Sequence, residues 1–144
     1  MKASLVAAGV FGVMVWGWLA TFGWLEVSSL CHIAIDVELL EGDRSGIRRA
    51  IALVRNEDPL AYRRLCRYVD RILEEKCDAG DPQISRADPT LRRAHAAAGC
   101  YVKGSRLFVM RPQPDGGERV IRERAEALKR GAAWSEAFWT GGRP

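Results

Sequence analysis

The sequence predicts an α+β protein in which an N-terminal transmembrane helix is followed by a small three-stranded sheet covered by helices. Three observations predict this class. Residues 3–25 contain no charged side chain, a later segment alternates apolar and polar residues, and two further segments carry helical periodicity. We therefore divide the 144-residue chain into residues 1–25, a cytoplasmic N-terminus with a membrane anchor, and residues 26–144, an extracytoplasmic α+β domain.

The uncharged segment has the length of a membrane-spanning helix. A helix over residues 3–25 would be ~34 Å long, against a hydrocarbon core of ~30 Å. The apolar part of a cleaved secretory signal is shorter and ends in small residues, so we interpret this segment as an uncleaved anchor in the lipid bilayer. Lys2 precedes it, and the first basic residue after it is Arg44. This asymmetry predicts a single-pass protein of the cytoplasmic membrane, with its N-terminus inside and its domain outside.

Small residues at every fourth position mark one face of this predicted helix. Ser4, Ala8 and Gly12 would let a second helix approach closely. They predict association with a protein partner or a homo-oligomer through the membrane helix. The alternative is that Gly and Ala are simply frequent in membrane helices.

Two regions of the outer domain have strand patterns. Residues 31–39 alternate from Cys31 to Leu39, which is typical of a half-buried strand. Residues 100–103 and 106–111 flank the dipeptide Gly104-Ser105, and a two-residue turn of this kind predicts a β-hairpin.

Helices are predicted between and after these strands. A short helix is expected over residues 45–55. Asp58 and Pro59 are N-cap and first-turn signals for a second helix that runs to about residue 75. A loop over residues 78–88 and a short helix over residues 89–98 follow. Residues 118–139 form the last and longest predicted helix.

Four cysteines in a small domain outside the cytoplasm predict two disulfide bonds. With a helix to residue 75, Cys66 and Cys77 would lie ~15 Å apart, too far for a bond between them. Cys66 then pairs with Cys31 or with Cys100. We favour Cys31–Cys66 with Cys77–Cys100, and the swapped pairing stays open.

Metal binding and catalysis have weaker signals. Zinc held by cysteines with His32 or His95 is disfavoured, because no two cysteines have the usual spacing of structural zinc ligands. His95 has no acidic partner in register, and His32 lies on the polar face of the first predicted strand, so a solvated histidine explains both. Lys103 with Ser105 would place a Ser–Lys pair at an exposed turn, where the lysine keeps its proton. We therefore predict no catalytic residue, no metal and no cofactor.

Charge and aromatic residues indicate the class of partner. Arginines are frequent between residues 44 and 93, but 18 acidic residues offset 22 basic ones, which argues against nucleic-acid binding. Trp134, Phe138 and Trp139 form an aromatic cluster at the end of the last helix. Core packing would explain them, and contact with a partner protein is the functional alternative.

A set of residues spread over about half of the chain comprises Pro59, Tyr62, Cys66, Tyr68, Val69, Ile72, Cys77, Gly99 to Ser105, Arg111, Pro112, Arg124, Ala125, Ser135, Phe138 and Trp139. This set resembles small membrane-anchored bacterial proteins of unknown function. The order of strand, helix, hairpin and helix also loosely resembles small zinc peptidases, whose last helix carries the motif HExxH. Residues 118–139 contain no histidine, so this resemblance implies a scaffold without the metal.

Together these observations predict a single-pass, membrane-anchored binding or structural component of a cell-envelope assembly, without catalytic activity. The alternative is an envelope hydrolase or a degenerate peptidase-like protein with an unidentified active site. A third possibility is reversed topology, in which a cytoplasmic domain would carry free or zinc-bound thiols.

Overall fold

A five-stranded mixed sheet and three helices form most of the described part of the chain, and the described residues Gly12, Met14 and Gly17 are also helical. The computed structural model describes residues 12, 14, 17, 23–26, 30–37, 42–75, 99–102, 104–113 and 117–142. The strands are β1 (Gly23–Glu26), β2 (Cys31–Asp36), β3 (Arg71–Glu74), β4 (Gly99–Tyr101) and β5 (Leu107–Met110). The helices are α1 (Arg44–Glu57), α2 (Pro59–Tyr68) and α3 (Glu118–Thr140).

The sheet has the strand order β1-β2-β3-β5-β4. Its three middle strands, β2, β3 and β5, run parallel, and the outer strands β1 and β4 are antiparallel to their neighbours. Parallel neighbours need a crossover connection, and α1 with α2 supplies it between β2 and β3. The middle strands therefore begin at one edge of the sheet, here called the amino edge, and end at the opposite carboxyl edge.

The hydrophobic core lies between the helices and one face of the sheet. Alternate strand residues such as Ile33, Ile72 and Phe108 are almost completely buried, and Ile51 and Leu128 of the helices are buried against them. This alternation is the two-residue period of a strand with one face on the core. It explains why the pattern of β2 is visible in the sequence.

Helix α2 is shorter than predicted, and the sheet is correspondingly larger. The N-terminal signals hold, since the Asp58 carboxylate accepts a hydrogen bond from the Ala61 amide at 2.9 Å and Pro59 begins the helix. The helix ends at Tyr68, however, and Arg71–Glu74 forms β3 between β2 and β5. The predicted three-stranded sheet is therefore wrong. Buried Ile72 fits both a helical and a strand period, and its pairing with distant strands decides between them.

Strand β1 was not predicted, because it lies at the end of the uncharged segment. It pairs with β2, and polar contacts fasten its side chains to the helices. The Trp24 indole N–H donates to the Tyr62 hydroxyl at 2.9 Å, and that hydroxyl donates to the Glu26 carboxylate. Arg55 completes the group with an ion pair to Glu26 at 3.1 Å.

These contacts correct the membrane prediction. Residues 23–25 lie in a sheet strand and not in a helix. Among the described residues, no helix combines the length and the apolar character needed to cross a membrane. The predicted transmembrane helix is therefore wrong, and so is the single-pass localisation in the cytoplasmic membrane that was derived from it. The uncharged segment ends in a strand of the sheet, and Trp24 of that strand packs against the core.

The remaining described helices and strands are of the type that the sequence predicts. Helix α1 extends the predicted 45–55 by one residue at its start and two at its end, and α3 extends the predicted 118–139 by one. Strands β4 and β5 pair as the predicted hairpin, and Gly104 takes a φ of 81° at its turn. The predicted loop over 78–88 and short helix over 89–98 lie outside the described residues.

Candidate interaction surface

Three parts of the chain converge at the amino edge of the sheet. The end of α3 lies beside the end of α2, because the Ser135 hydroxyl donates to the Tyr68 carbonyl at 2.7 Å. It also lies against the β4–β5 turn, since a Cβ atom at Gly104 would be 3.3 Å from the Phe138 ring. The last turn of α3 is thus held over the points where β3 and β5 begin.

The aromatic residues at this end of α3 differ in exposure. Phe138 and Trp139 are 42% and 50% exposed, and their rings meet edge to face with centroids 5.3 Å apart. The Arg106 guanidinium lies 6.0 Å from the Trp139 ring centroid. Trp134 is partly buried and packs against the core. The structure therefore leaves two of the three predicted contact residues accessible to a partner.

Leu30 is the most exposed large apolar residue of the described chain. It precedes β2 in the β1–β2 connection, is 88% exposed and has a φ of 51°. A residue with a Cβ atom in this left-handed conformation carries a cost of about 1–2 kcal/mol. Because β2 begins at the amino edge, Leu30 lies at the same edge as Phe138 and Trp139.

Arginines accompany these apolar groups. Arg106 reaches Asp70 with one nitrogen, Nη1, at 3.4 Å, and Arg67 stacks on Tyr68 with its guanidinium 5.6 Å from the ring centroid. We call the group of Leu30, Arg67, Arg106, Phe138 and Trp139 the amino-edge surface.

A second charged cluster lies at the carboxyl edge. Arg124 of α3 is completely buried and bonds two carboxylates, Asp43 Oδ2 at 2.6 Å and Glu74 Oε1 at 2.8 Å. The other oxygen of Glu74 accepts from the Asp43 backbone N–H at 2.8 Å. These bonds join α3, β3 and the start of α1. Within the described part of the chain, the buried Nε of Arg124 has no hydrogen-bond partner.

Asp43 is also the N-cap of α1. Its carboxylate accepts from the Gly46 amide at 2.8 Å and from the Ser45 hydroxyl at 3.1 Å. Partial burial raises its pKa, but the Gly46 and Ser45 hydrogen bonds and the Arg124 charge together hold the pKa below the ordinary value of 3.8. A Cβ atom at Gly46 would lie 2.0 Å from Asp43 Oδ2, so a side chain there would displace the cluster.

Sequence reasoning missed this cluster, although one signal was present. Arg124 lies within the apolar stripe of α3, three residues after Ile121 and four before Leu128, and all three are buried. An arginine in such a stripe must find buried carboxylates. Its partners could not be recognised, since Glu74 lay in a predicted helix and Asp43 lay between two predicted elements.

The disulfide prediction is confirmed for one pair. Cys31 and Cys66 are bonded, with their Cα atoms 5.0 Å apart. Cys100 is also disulfide-bonded, and Cys77, its predicted partner, lies outside the described residues. The argument that excluded a Cys66–Cys77 bond used a helix to residue 75, which is wrong.

The histidines and the Ser–Lys pair that the sequence analysis considered and rejected as catalytic or metal-binding groups are described only in part. His32 is exposed on β2, while His95 and Lys103 are not described. The Ser105 hydroxyl donates to the Val102 carbonyl at 2.7 Å, within the hairpin turn. Of the described residues, no three His, Cys, Asp or Glu side chains form a group that could hold a metal ion.

The predicted helix-packing face of the uncharged segment is described at one position only. Gly12 is helical and exposed, and a Cβ atom there would meet no atom within 4 Å. Ser4 and Ala8 lie outside the described residues. Association through this face stays a prediction.

Comparison with known proteins gives no relative. No family model matches the chain, and neither a curated protein nor a solved structure is significantly similar to it. The resemblance to small bacterial proteins and zinc peptidases therefore stays a prediction, and the site must be interpreted from its own geometry.

Proposed function

We propose that this protein is a binding component of a protein assembly and that a partner protein docks on the amino-edge surface. One observation carries the proposal. The described residues include five exposed large apolar side chains, and three of them, Leu30, Phe138 and Trp139, lie at one edge of the sheet. Exposed apolar residues at one edge of a sheet are candidates for an interaction site.

The composition of the surface supports a protein partner. Tryptophan and arginine are the residues that most often dominate binding energy at protein interfaces. Here Trp139 and Arg106 lie next to each other, and both are about half exposed.

The conformation of Leu30 supports it further. Asparagine or glycine would satisfy the left-handed turn at lower cost, and neither would expose an apolar side chain. Strain of this kind is often stored at functional sites. A contact made by the Leu30 side chain would account for leucine at this position.

The place of the assembly in the cell envelope stays a prediction, for which the Cys31–Cys66 disulfide is the support, since such bonds persist in oxidising compartments. The alternative of an envelope hydrolase or a degenerate peptidase-like protein also stays a prediction.

Site-specific photo-crosslinking in the host cells tests the proposal. The photoreactive amino acid p-benzoylphenylalanine replaces Trp139 in the full chain, and in a control chain it replaces Arg122, which is exposed on the first turns of α3. We expect a discrete protein adduct from position 139 and none from position 122. The adduct should disappear in a Leu30→Asn background.

A matched variant separates docking from general hydrophobicity. Leu60 is 52% exposed in the first turn of α2, seven residues before Arg67. Leu60→Asn should leave the adduct unchanged. An adduct that survives Leu30→Asn, or no adduct at position 139, would overturn the proposal.

A further inference from the structure

We infer that the partner segment is acidic and carries apolar anchors, so that its carboxylates meet Arg67 and Arg106 while its apolar side chains meet Leu30, Phe138 and Trp139. This inference rests on the proposed function and goes on to name the chemistry of the partner.

Arg67 and Arg106 can each donate more N–H hydrogen bonds than they make to carboxylates in the described structure. Arg106 offers five N–H groups, and the only nitrogen that reaches a carboxylate in the described structure is Nη1, at 3.4 Å from Asp70. Its side chain is 45% exposed. Arg67 is exposed and stacks on Tyr68, and among the described residues no carboxylate lies within ion-pair distance of it. Both guanidinium groups can therefore receive a carboxylate from outside.

The acidic side chains near this surface are already engaged. Glu136 pairs with Arg64 at 2.8 Å, and Asp70 is the residue that contacts Arg106. The C-terminal ends of α2 and α3 add partial negative charge, of about half an elementary charge each, which acts only over the last turn. Asp70 offsets the charge of Arg106, whereas Arg67 is exposed and has no carboxylate within ion-pair distance among the described residues, so a carboxylate from outside would complete the pairing.

Stacking prepares the guanidinium groups for such a partner. The Arg106 guanidinium lies 6.0 Å from the Trp139 ring centroid and that of Arg67 lies 5.6 Å from the Tyr68 ring centroid, and both side chains are exposed. A planar guanidinium in this position can bind a carboxylate through two parallel hydrogen bonds. The adjoining exposed rings and Leu30 supply apolar contact for the rest of the segment.

Selection of peptides from a random phage-displayed library against the full-length protein tests the inference. Sequences that bind should be enriched in Asp and Glu next to Leu, Ile, Phe or Trp. A labelled peptide from this selection is then titrated by fluorescence anisotropy. Its affinity should fall about tenfold or more in the double variant Arg67→Ala/Arg106→Ala, and it should weaken as salt is raised.

Arg122→Ala is the matched control, since Arg122 is exposed on the same helix as Trp139 but far from the amino edge. It should leave the affinity unchanged. Thermal unfolding of each variant confirms that the fold is intact.

The outcomes separate this inference from the proposed function. Neutral or basic peptides whose binding needs Trp139 but not the two arginines would overturn the acidic partner and keep the docking surface. Peptides whose binding is indifferent to Trp139→Ala and Leu30→Asn would overturn both. A single-stranded DNA oligonucleotide that binds through Arg67 and Arg106 more tightly than any selected peptide would also overturn the inference.

Discussion

Both edges of the sheet carry an arginine that contacts a carboxylate, but the pair is buried at one edge and exposed at the other. At the carboxyl edge, Arg124 is fully buried and contacts two carboxylates at 2.6 and 2.8 Å. At the amino edge, Arg106 is 45% exposed and contacts one carboxylate at 3.4 Å. A buried charge must be neutralised inside the protein, whereas an exposed one exchanges its partner with water at little cost. The comparison indicates that the carboxyl-edge cluster stabilises the fold, whereas the arginine at the amino edge stays exposed, as the proposed docking requires.

The largest effect is expected from breaking the carboxyl-edge cluster. Arg124→Met removes the cation and leaves Asp43 and Glu74 with uncompensated charges, Glu74 almost completely buried. The free energy of unfolding should fall by about 3–5 kcal/mol, as measured by urea denaturation. Arg122→Met is the control, because its pair with Glu118 is exposed and should contribute less than about 0.5 kcal/mol. Equal losses in the two variants would contradict the structural role of the cluster.

A smaller loss is expected from crowding the same cluster without removing charge. Gly46→Ala places a Cβ atom 2.0 Å from Asp43 Oδ2 and 2.8 Å from Arg124 Nη1. We expect destabilisation of about 1–3 kcal/mol by the same denaturation measurement. Gly142→Ala serves as the control, since its Cβ atom would approach no atom closer than 3.4 Å. A Gly46→Ala variant with an unchanged free energy of unfolding would show that the cluster rearranges at little energetic cost.

The pH dependence of stability reports on Asp43. Its pKa is lower in the folded protein than the ordinary value of 3.8, so the folded state favours the ionised form. This contribution is fully present above the unfolded pKa and is lost as the pH falls through about 4 towards the lower folded value. Asp43→Asn should therefore reduce stability at neutral pH and flatten the acid limb of the stability curve. An unchanged slope between pH 5 and about 2 would show that Asp43 is not coupled to folding.

The smallest change in stability is expected at the amino edge, with the opposite sign. Leu30→Asn relieves the left-handed backbone, because asparagine adopts it more readily, and removes a side chain that is 88% exposed. The free energy of unfolding should stay the same or rise by up to about 1 kcal/mol, while binding of the selected peptide is lost. A clear loss of stability would assign Leu30 to the fold and remove it from the docking surface.

The sequence predicts those parts of the fold whose signals are local. The alternation of β2, the glycine turn between β4 and β5, and the Asp58-Pro59 start of α2 all depend on neighbours in the chain. The favoured Cys31–Cys66 bond is confirmed, although the helix to residue 75 that was used to exclude a Cys66–Cys77 bond is wrong.

The elements that the sequence did not predict depend on contacts between distant segments of the chain. Nothing near Tyr68 resembles a helix stop, and β3 exists because β2 and β5 lie on either side of it. Residues 23–26 look like the end of a membrane helix until Tyr62 and Arg55 provide partners for Trp24 and Glu26.

The candidate site was predicted in part. The aromatic cluster that includes Phe138 and Trp139 was visible in the sequence. That these two side chains are exposed while Trp134 packs against the core depends on how α3 packs, which the sequence alone does not show. Leu30, Arg67 and Arg106 come together only through the order of the strands, so no local pattern could have assigned them to one surface.

The most direct measurement is a nuclear magnetic resonance titration of the isotope-labelled full-length protein with a selected peptide. We predict that the indole resonance of Trp139 and the backbone amides of Leu30 and Arg106 shift, while the amides of Asp43 and Glu74 keep their positions. Shifts confined to Asp43 and Glu74 would contradict the division between a binding edge and a structural edge.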